Sequence, residues 1–407
     1  MIQPPIKPFP SYKWRWAVLT PTESLNDPPV FLGVLRVFDE YRDFAPSSEE
    51  VMRGLSIVQQ ETGTNVDLVR TRERNLVRNS GQYWRALGLL DGTHGRISVS
   101  HLGHMLATGE ITQVEFATVV IKTLELPNRQ IENPAVWDSV GLAIKPLQLI
   151  LDILSSIGRN YSSDASYITP FELVKIVIPL AGSRASINDY GHAVTQFRLG
   201  SLDISAWPDC APSSNDRRMA REFLIFLSKY GFLSIDDSLR GNDNEKYYLA
   251  SISKEEILEL SNTRMVNYEM EDVVRMVRET QIPASIERKR VSREILERPF
   301  QNLFRKNILI AYEQRCLVTG VEIDNVLEAA HIIDVKYNGS DRIENGLCLR
   351  SDIHQLFDSG NLKIKPNGDI ALSPIAANRN NYGGLPRKIQ IPDFVSKDNL
   401  EWRFKYT

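Results

Sequence analysis

The feature that most limits how this chain can fold is a stretch near its C-terminal end, LEAAHIIDVKYNGSDRIENGLCLRSDIHQLFDSGNLKI, residues 327–364. An apolar run ends at His331. A loop with turn residues at Asn338-Gly339 follows, then a second turn signal at Glu344-Asn345-Gly346 and a second apolar run, Leu347 to Leu349. A helix then opens, with Ser351 or Asp352 as its expected N-cap and Gly360 past its end. Two short strands and a helix in so little chain imply a small hairpin backed by one helix. His331, Asn345 and His354 sit on its three parts. Imidazole titrates near neutrality, so His331 can take a proton from water at working pH. The arrangement can set a general base, a residue that orients it and a metal ligand around one phosphate.

The order His–Asn–His within this outline resembles the HNH endonuclease family, whose ββα-metal fold cuts nucleic acid. Upstream, FRKNILIAYEQRCLVTG (Phe304 to Gly320) is similar to the helix and turn that precede the catalytic hairpin in one large HNH subfamily. Downstream, NGLCLRSDIHQLFDSGNLKI is similar to that subfamily's second strand and helix. The resemblance implies that His331 is the base activating water for in-line attack on phosphorus. It implies that the Asn345 amide pins the loop across the motif, and that His354 binds one divalent ion at the scissile phosphate. Many members carry an Asp or His ligand immediately before the base, where this chain has Ala330. The ion therefore needs another carboxylate, from Glu328, Asp352 or Asp358. Glu328 is the expected one, although on an ideal strand it faces away from His331 and needs a twist or bulge. Asp352 could serve instead as a cap, and Asp358 as an anchor of the helix. A mixed imidazole, carboxylate, water and phosphate set suits Mg²⁺ or Mn²⁺, one per active site. Some members hold a structural zinc between two cysteine pairs; with only Cys210, Cys316 and Cys348, and no C-x-x-C, no structural zinc is expected.

A length of 407 residues leaves room for about two to three domains. No run is apolar enough to span a membrane, the first ten residues lack a signal-peptide core, and three unpaired cysteines suit a reducing compartment, so a cytoplasmic location is expected. A net charge of −3 does not argue against nucleic acid, because binding follows local clusters. Arg70, Arg72, Arg74, Arg78 and Arg85 fall in one helical segment; Arg288, Lys289, Arg290, Arg293, Arg298, Arg305 and Lys306 lead into the His–Asn–His region. Such runs are often solvated faces, but beside a nuclease signature they suggest phosphate contacts.

The fold class expected is α+β, mainly helical: tandem winged-helix-like modules followed by a C-terminal ββα-metal nuclease domain. Residues 1–135 hold an N-terminal arm and the first module. Its helix from Ser48, its arginine-rich helix ending at Tyr83-Trp84, the turn Asp91 to Gly95 and the strand Arg96 to Ser100 resemble the outline of winged-helix DNA readers. Residues 136–282 repeat that outline, with helices over 143–157 and 170–180 and an anchor helix, opened by Arg217 and Arg218, that runs into Phe223 to Leu233. The wing tip is expected over Asp236 to Asn244, and Lys246 to Leu249 as the returning strand. A charged helical linker, Ser251 to Glu279, then leads to a hinge at Gln281-Ile282-Pro283. The nuclease domain takes 283–407, its tail folding back over the core as a strand. His94, His101 and His104 read as ordinary surface or core residues, since no carboxylate matches them. Tyr83-Trp84 and Tyr247-Tyr248 read as core pairs before base-stacking platforms.

Together these features imply a metal-dependent endonuclease of restriction type, acting on double-stranded DNA. A homodimer would cut both strands, and a cognate DNA methyltransferase could act on the same site. Three rivals stay open: a restriction enzyme that requires a modified base, an effector gated by a nucleotide signal, and a DNA-binding regulator whose nuclease fold has lost activity.

Overall fold

The computed structural model describes residues 2–16, 27–69, 76–91, 95–236, 243–250, 272, 274–275, 298–337, 339–378 and 381–406, with the side chains of all but 77–80 and 298–303. These residues divide into two compact units. The first takes in the described residues up to His104 and from Gln113 to Arg275; the second takes in 105–112 and the described residues from Arg298 onward.

The first unit is built of helices whose ends follow local signals. α1 (Pro28–Glu40) starts on a proline, which suits a first helical position, and buries Phe31, Leu32, Leu35 and Phe38. α2 (Glu49–Thr62) is capped by the Ser48 hydroxyl, which accepts the Val51 amide, and closed by Gly63 at φ 62°. α3 (Leu76–Ala86) places Trp84 flat against Phe31, ring centroids 4.2 Å apart. Tyr83 and Trp84 are therefore core residues, as their sequence context implies. α4 (His101–Thr108), whose last residues group with the second unit, follows an antiparallel bridge between Leu90 and Val99. α5 (Gln113–Thr123) is buried along almost its whole length. α6 (Ala135–Ser139) is short, and α7 (Pro146–Asn160) starts at its proline rather than at Ala143.

A helical run then changes pitch. Thr169 and Glu172 form a capping box on α8 (Pro170–Glu172); Leu173–Val177 widens to a π-turn, and α9 (Ile178–Gly182) resumes. Pro179 lacks an amide hydrogen, and the turn before it accommodates the missing bond by widening. α10 (Ile187–Arg198) and α11 (Ser214–Lys229) follow, the latter capped by Ser213. A small antiparallel sheet completes the unit, formed by β1 (Tyr167–Ile168), β2 (Leu233–Ile235) and β3 (Tyr247–Leu249) in the order β1-β3-β2. The anchor helix and returning hairpin expected over 223–249 are thus present as α11, β2 and β3; part of the expected wing tip, 237–242, lies outside the described residues. So do Arg70, Arg72, Arg74, His94, Arg288, Lys289, Arg290, Arg293, the hinge at 281–283 and nearly all of the linker 251–279; the Arg78 and Arg298 side chains are likewise not described.

The second unit is the hairpin and helix read from the sequence, with two additions. α12 (Arg298–Ala311) precedes β4 (Leu327–His331), which pairs antiparallel with β5 (Gly346–Arg350). α13 (Ser351–Asp358) follows at once, then a second hairpin, β6 (Leu362–Ile364) and β7 (Ile370–Leu372), and finally α14 (Lys397–Tyr406). The core joins Ile308, Ala330, Leu347, Leu349, Ile353, Phe357, Leu362 and Leu400. Each of the leucine, isoleucine and phenylalanine side chains contributes roughly 1.5–3 kcal/mol relative to exposure.

Two expectations are corrected. The tail returns as a helix rather than a strand: the Ser396 carbonyl and hydroxyl accept the amides of Leu400 and Asn399, and Leu400 enters the core. The N-cap of α13 is Arg350 rather than Ser351 or Asp352. Asp352 instead lies in the first turn, accepting the Ile353 amide (2.9 Å) and both arms of the Arg350 guanidinium (2.6 and 2.8 Å).

Gly346 is required where it stands. It lies opposite His331 in the hairpin, and a Cβ there would press on Ile308 and come within 3.0 Å of Phe304. Without one, α12 closes on the hairpin and Phe304 lies face to face with the His331 ring, centroids 3.9 Å apart.

Candidate nuclease site

His331 ends β4, its side chain mostly covered. One face rests on Phe304, and Nε2 lies 2.7 Å from Asp341 Oδ1. Asp341 was not singled out from the sequence. Its only signal there is an acid just after the Gly339 turn, and the contact forms because the loop doubles back between β4 and β5.

Asn345 holds that loop. It is 1% exposed, and its amide is fully used. Nδ2 donates to the carbonyls of Ile333 (3.0 Å) and Ser340 (2.9 Å), while Oδ1 accepts the Ile333 amide (2.9 Å) and Asn399 Nδ2 (3.1 Å). Two carbonyls on one side and two N–H groups on the other allow a single orientation of the amide. The Asn345 carbonyl also accepts the Ile332 amide (2.8 Å). One side chain thus ties both ends of the loop that carries Asp341.

His354, on α13, stands between two carboxylates. Nδ1 is 2.7 Å from Glu328 Oε2, and Nε2 is 3.1 Å from Asp358 Oδ2, one helical turn on. Burial alone would lower the imidazole pKa; the hydrogen bonds and charges of Asp358 and Glu328 outweigh it, and the pKa lies above the usual 6.5. Burial likewise raises the Asp358 carboxyl, but His354 and Arg403 bring it below its ordinary value. Arg403 reaches Asp358 (3.2 Å) and the carbonyls of Phe357 (2.9 Å) and Ile332 (3.3 Å).

Of the three carboxylates weighed from sequence, Glu328 and Asp358 face His354, and Asp352 is engaged by Arg350. No bulge brings Glu328 there, since the β4–β5 register is continuous; the burial of β4 departs from strict alternation, as a twisted strand does. Among the described residues no group of three or more His, Cys, Asp or Glu side chains converges to hold a metal. One cation cannot take both nitrogens of one ring. An ion at Nδ1 beside Glu328 would leave Nε2–H donating to Asp358, already anchored by Arg403, which is how ligand imidazoles are ordinarily oriented. One imidazole and one carboxylate, completed by water and phosphate oxygens, fit Mg²⁺ or Mn²⁺.

In the first unit, Arg217 and Arg218 are exposed at the start of α11. His104 meets Asp39 (3.0 Å) and belongs to no metal-binding group among the described residues. Cys316 and Cys348 are buried free thiols; Cys316 Sγ accepts the Arg350 and Thr319 amides, a core role.

Comparison with known proteins gives three findings. No curated protein sequence matches the chain. Among the solved structures that match is one of pyrene- and phenanthrene-modified DNA in complex with the BpuJ1 endonuclease binding domain, which aligns with a TM-score of 0.45 and 12% identity, over 67% of this chain and 97% of that one. A family model described as HNH endonuclease matches residues 316–365, the stretch that carries β4, β5 and α13. Residues 316–365 are an HNH endonuclease domain, and His331, Asn345 and His354 all lie within it.

Proposed function

We propose that this protein is a metal-dependent DNA endonuclease of restriction type, with its catalytic centre at His331, Asn345 and His354. The observation that carries the reading is the geometry inside the HNH segment: an imidazole held by a carboxylate, a loop tied by one buried amide, and a second imidazole flanked by two carboxylates. His331 takes the proton of the attacking water. With Nε2–H donating to Asp341, the tautomer leaves the lone pair on Nδ1. Asn345 acts through position, by fixing the loop that presents Asp341. His354 and Glu328 would hold Mg²⁺ or Mn²⁺, which supplies positive charge at the scissile phosphate and the leaving oxygen when bound.

Recognition falls to the first unit, read as two winged-helix-like modules, with Arg217 and Arg218 meeting phosphates alongside Arg70, Arg72, Arg74 and Arg78; Arg288, Lys289 and Arg290, which lead into the nuclease domain, add further phosphate contacts. One such centre cuts one strand, so a double-strand break calls for a homodimer. A cognate methyltransferase would protect host DNA, and the enzyme would work in the cytoplasm. The test is incubation with Mg²⁺ and plasmid, unmodified and methylated, beside a His331→Ala control. Discrete fragments from the native protein alone are the expected result, with the loss in the control about 10²–10⁴-fold. Intact plasmid in every lane, with DNA binding retained, would refute the proposal.

A further inference from the structure

The first unit contains a cleft of about 650 Å³, bordered by the N-terminal segment from Lys7 to Arg15 and by parts of 126–137 and 210–212. Its apolar side is an aromatic corner. Phe9, Tyr12 and Trp137 are in mutual contact, with ring centroids 5.4–5.6 Å apart. The corner is preformed: Tyr12 is 1% exposed, and its hydroxyl donates to the Ile178 carbonyl (2.9 Å) and accepts from Trp14 Nε1 (3.1 Å). Positive charge borders the same space. Lys13 is neutralised by Asp216 at 2.7 Å; Lys7 and Arg15 make no hydrogen bond among the described residues, although Arg15 lies near enough to Asp216 and Glu132 to favour their charged forms.

The cleft also offers edge-reading groups. Asn133 uses Oδ1 to accept the Ala135 amide, which leaves its amide hydrogens for another partner. Burial raises the Glu132 carboxyl above its usual range, against the pull of Arg15 and of its hydrogen bond to the Asn128 backbone. A purely apolar ligand would leave Lys7 and Arg15 unused, and a bare anion would leave the aromatic corner unused. The volume lies within the roughly 300–1,000 Å³ of small-molecule sites, well beyond a single ion.

We propose that this cleft binds a nucleotide, its base against the Phe9–Trp137 wall and its phosphate at Lys7 and Arg15. Stacking on aromatic faces together with cationic capture of phosphate is the shared chemistry of a free mononucleotide and of a nucleotide turned out of a DNA strand. The site does not depend on cleavage, so its fate is separable from that of the nuclease reading.

The test uses the full chain carrying His331→Ala, so that DNA stays intact. In one arm the four 5′-mononucleotides are titrated by calorimetry. In the other, a mismatched duplex with 2-aminopurine at the mismatch is added, and the rise in fluorescence on unstacking is read. Each arm is repeated with Arg15→Gln and with Phe9→Ala, after checking that the unfolding midpoint is kept. Saturable mononucleotide binding, weakened roughly tenfold to a hundredfold in both variants, supports the site with a free nucleotide as its source. A fluorescence rise lost in both variants, without mononucleotide binding, supports the extruded nucleotide. Silence in both arms, or a signal that either variant leaves unchanged, overturns the proposal.

Discussion

Replacing Asn345 with aspartate changes one NH₂ to an oxygen and little else, which makes it a sharp probe of the loop tie. The two accepted bonds, from the Ile333 amide and Asn399 Nδ2, survive. The two donated bonds do not: a carboxylate oxygen now faces the carbonyls of Ile333 and Ser340, formerly 3.0 and 2.9 Å from Nδ2. Each lost bond costs about 1 kcal/mol net, and each orphaned buried carbonyl about 1–3 kcal/mol. Some relief comes from loop movement and protonation, so the expected loss at pH 7 is about 3–5 kcal/mol, large for a single substitution. Urea unfolding of native protein and Asn345→Asp, followed by circular dichroism, reads the difference. The pH dependence gives a second reading. The buried carboxyl has a folded pKa above its unfolded value, so Asn345→Asp should recover stability relative to native as pH falls, when protonation restores one donor. Stability within about 0.5 kcal/mol of native at pH 7, or a gap that widens in acid, would show that the amide does not carry the loop.

Asp341→Asn keeps the shape beside His331 but lets the neighbour donate to Nε2, which favours the other tautomer; cleavage should fall by about 10²–10⁴-fold with the unfolding midpoint unchanged, measured by plasmid nicking across pH. Gly346→Ala forces a methyl against Ile308 and Phe304 and should cost about 1–3 kcal/mol while displacing the ring from His331, an effect visible in denaturant unfolding and in the His331 imidazole resonances. In metal-free protein, His354 has a raised pKa, so the stability it contributes is fully present below its unfolded value and fades as pH rises through the folded value. Melting temperature should therefore decline more steeply in native protein than in Asp358→Asn as pH rises above the ordinary imidazole range, and equal slopes would contradict the pairing.

The hairpin and the helix that carry His331, Asn345 and His354 were legible because each depends on near neighbours. Apolar runs set the strands, Gly360 follows the end of α13, and a short turn over Ile343–Asn345 leads into β5 at Gly346. Gly346 has a further cause that no local signal carries, since the atoms that forbid a side chain there belong to Phe304 and Ile308, some forty positions earlier. The choice among Glu328, Asp352 and Asp358 was open in the sequence for the same reason. It depends on Arg350 engaging Asp352, on the distant Arg403 anchoring Asp358 and on the twist of β4, none of which periodicity reports. Asp341 was missed because a loop acid has no pattern of its own. The N-cap at Arg350 was missed because side-chain preference favours Ser351, whereas β5 runs straight into α13 and leaves no residue between them for a side-chain cap.

The tail shows how tertiary packing decided what propensity did not. Lys397 to Tyr406 alternates charge and aromatic residues with no strong apolar stripe, so nothing local marks it as part of the site. Yet α14 supplies a contact to each half of the centre. Asn399 bonds the amide that ties the loop, and Arg403, 5% exposed, bonds Asp358, the carboxylate that faces His354. The Ser396 amide adds a bond to the Glu344 carbonyl, beside Asn345. Leu400, fully buried between these residues, holds the helix against the core and so fixes both contacts at once. His331 and His354 lie on different elements, and each is oriented by a carboxylate of its own. The helix that bonds both Asn345 and Asp358 is what couples the two orientations, because a shift of α14 would loosen the loop around Asp341 and free Asp358 together.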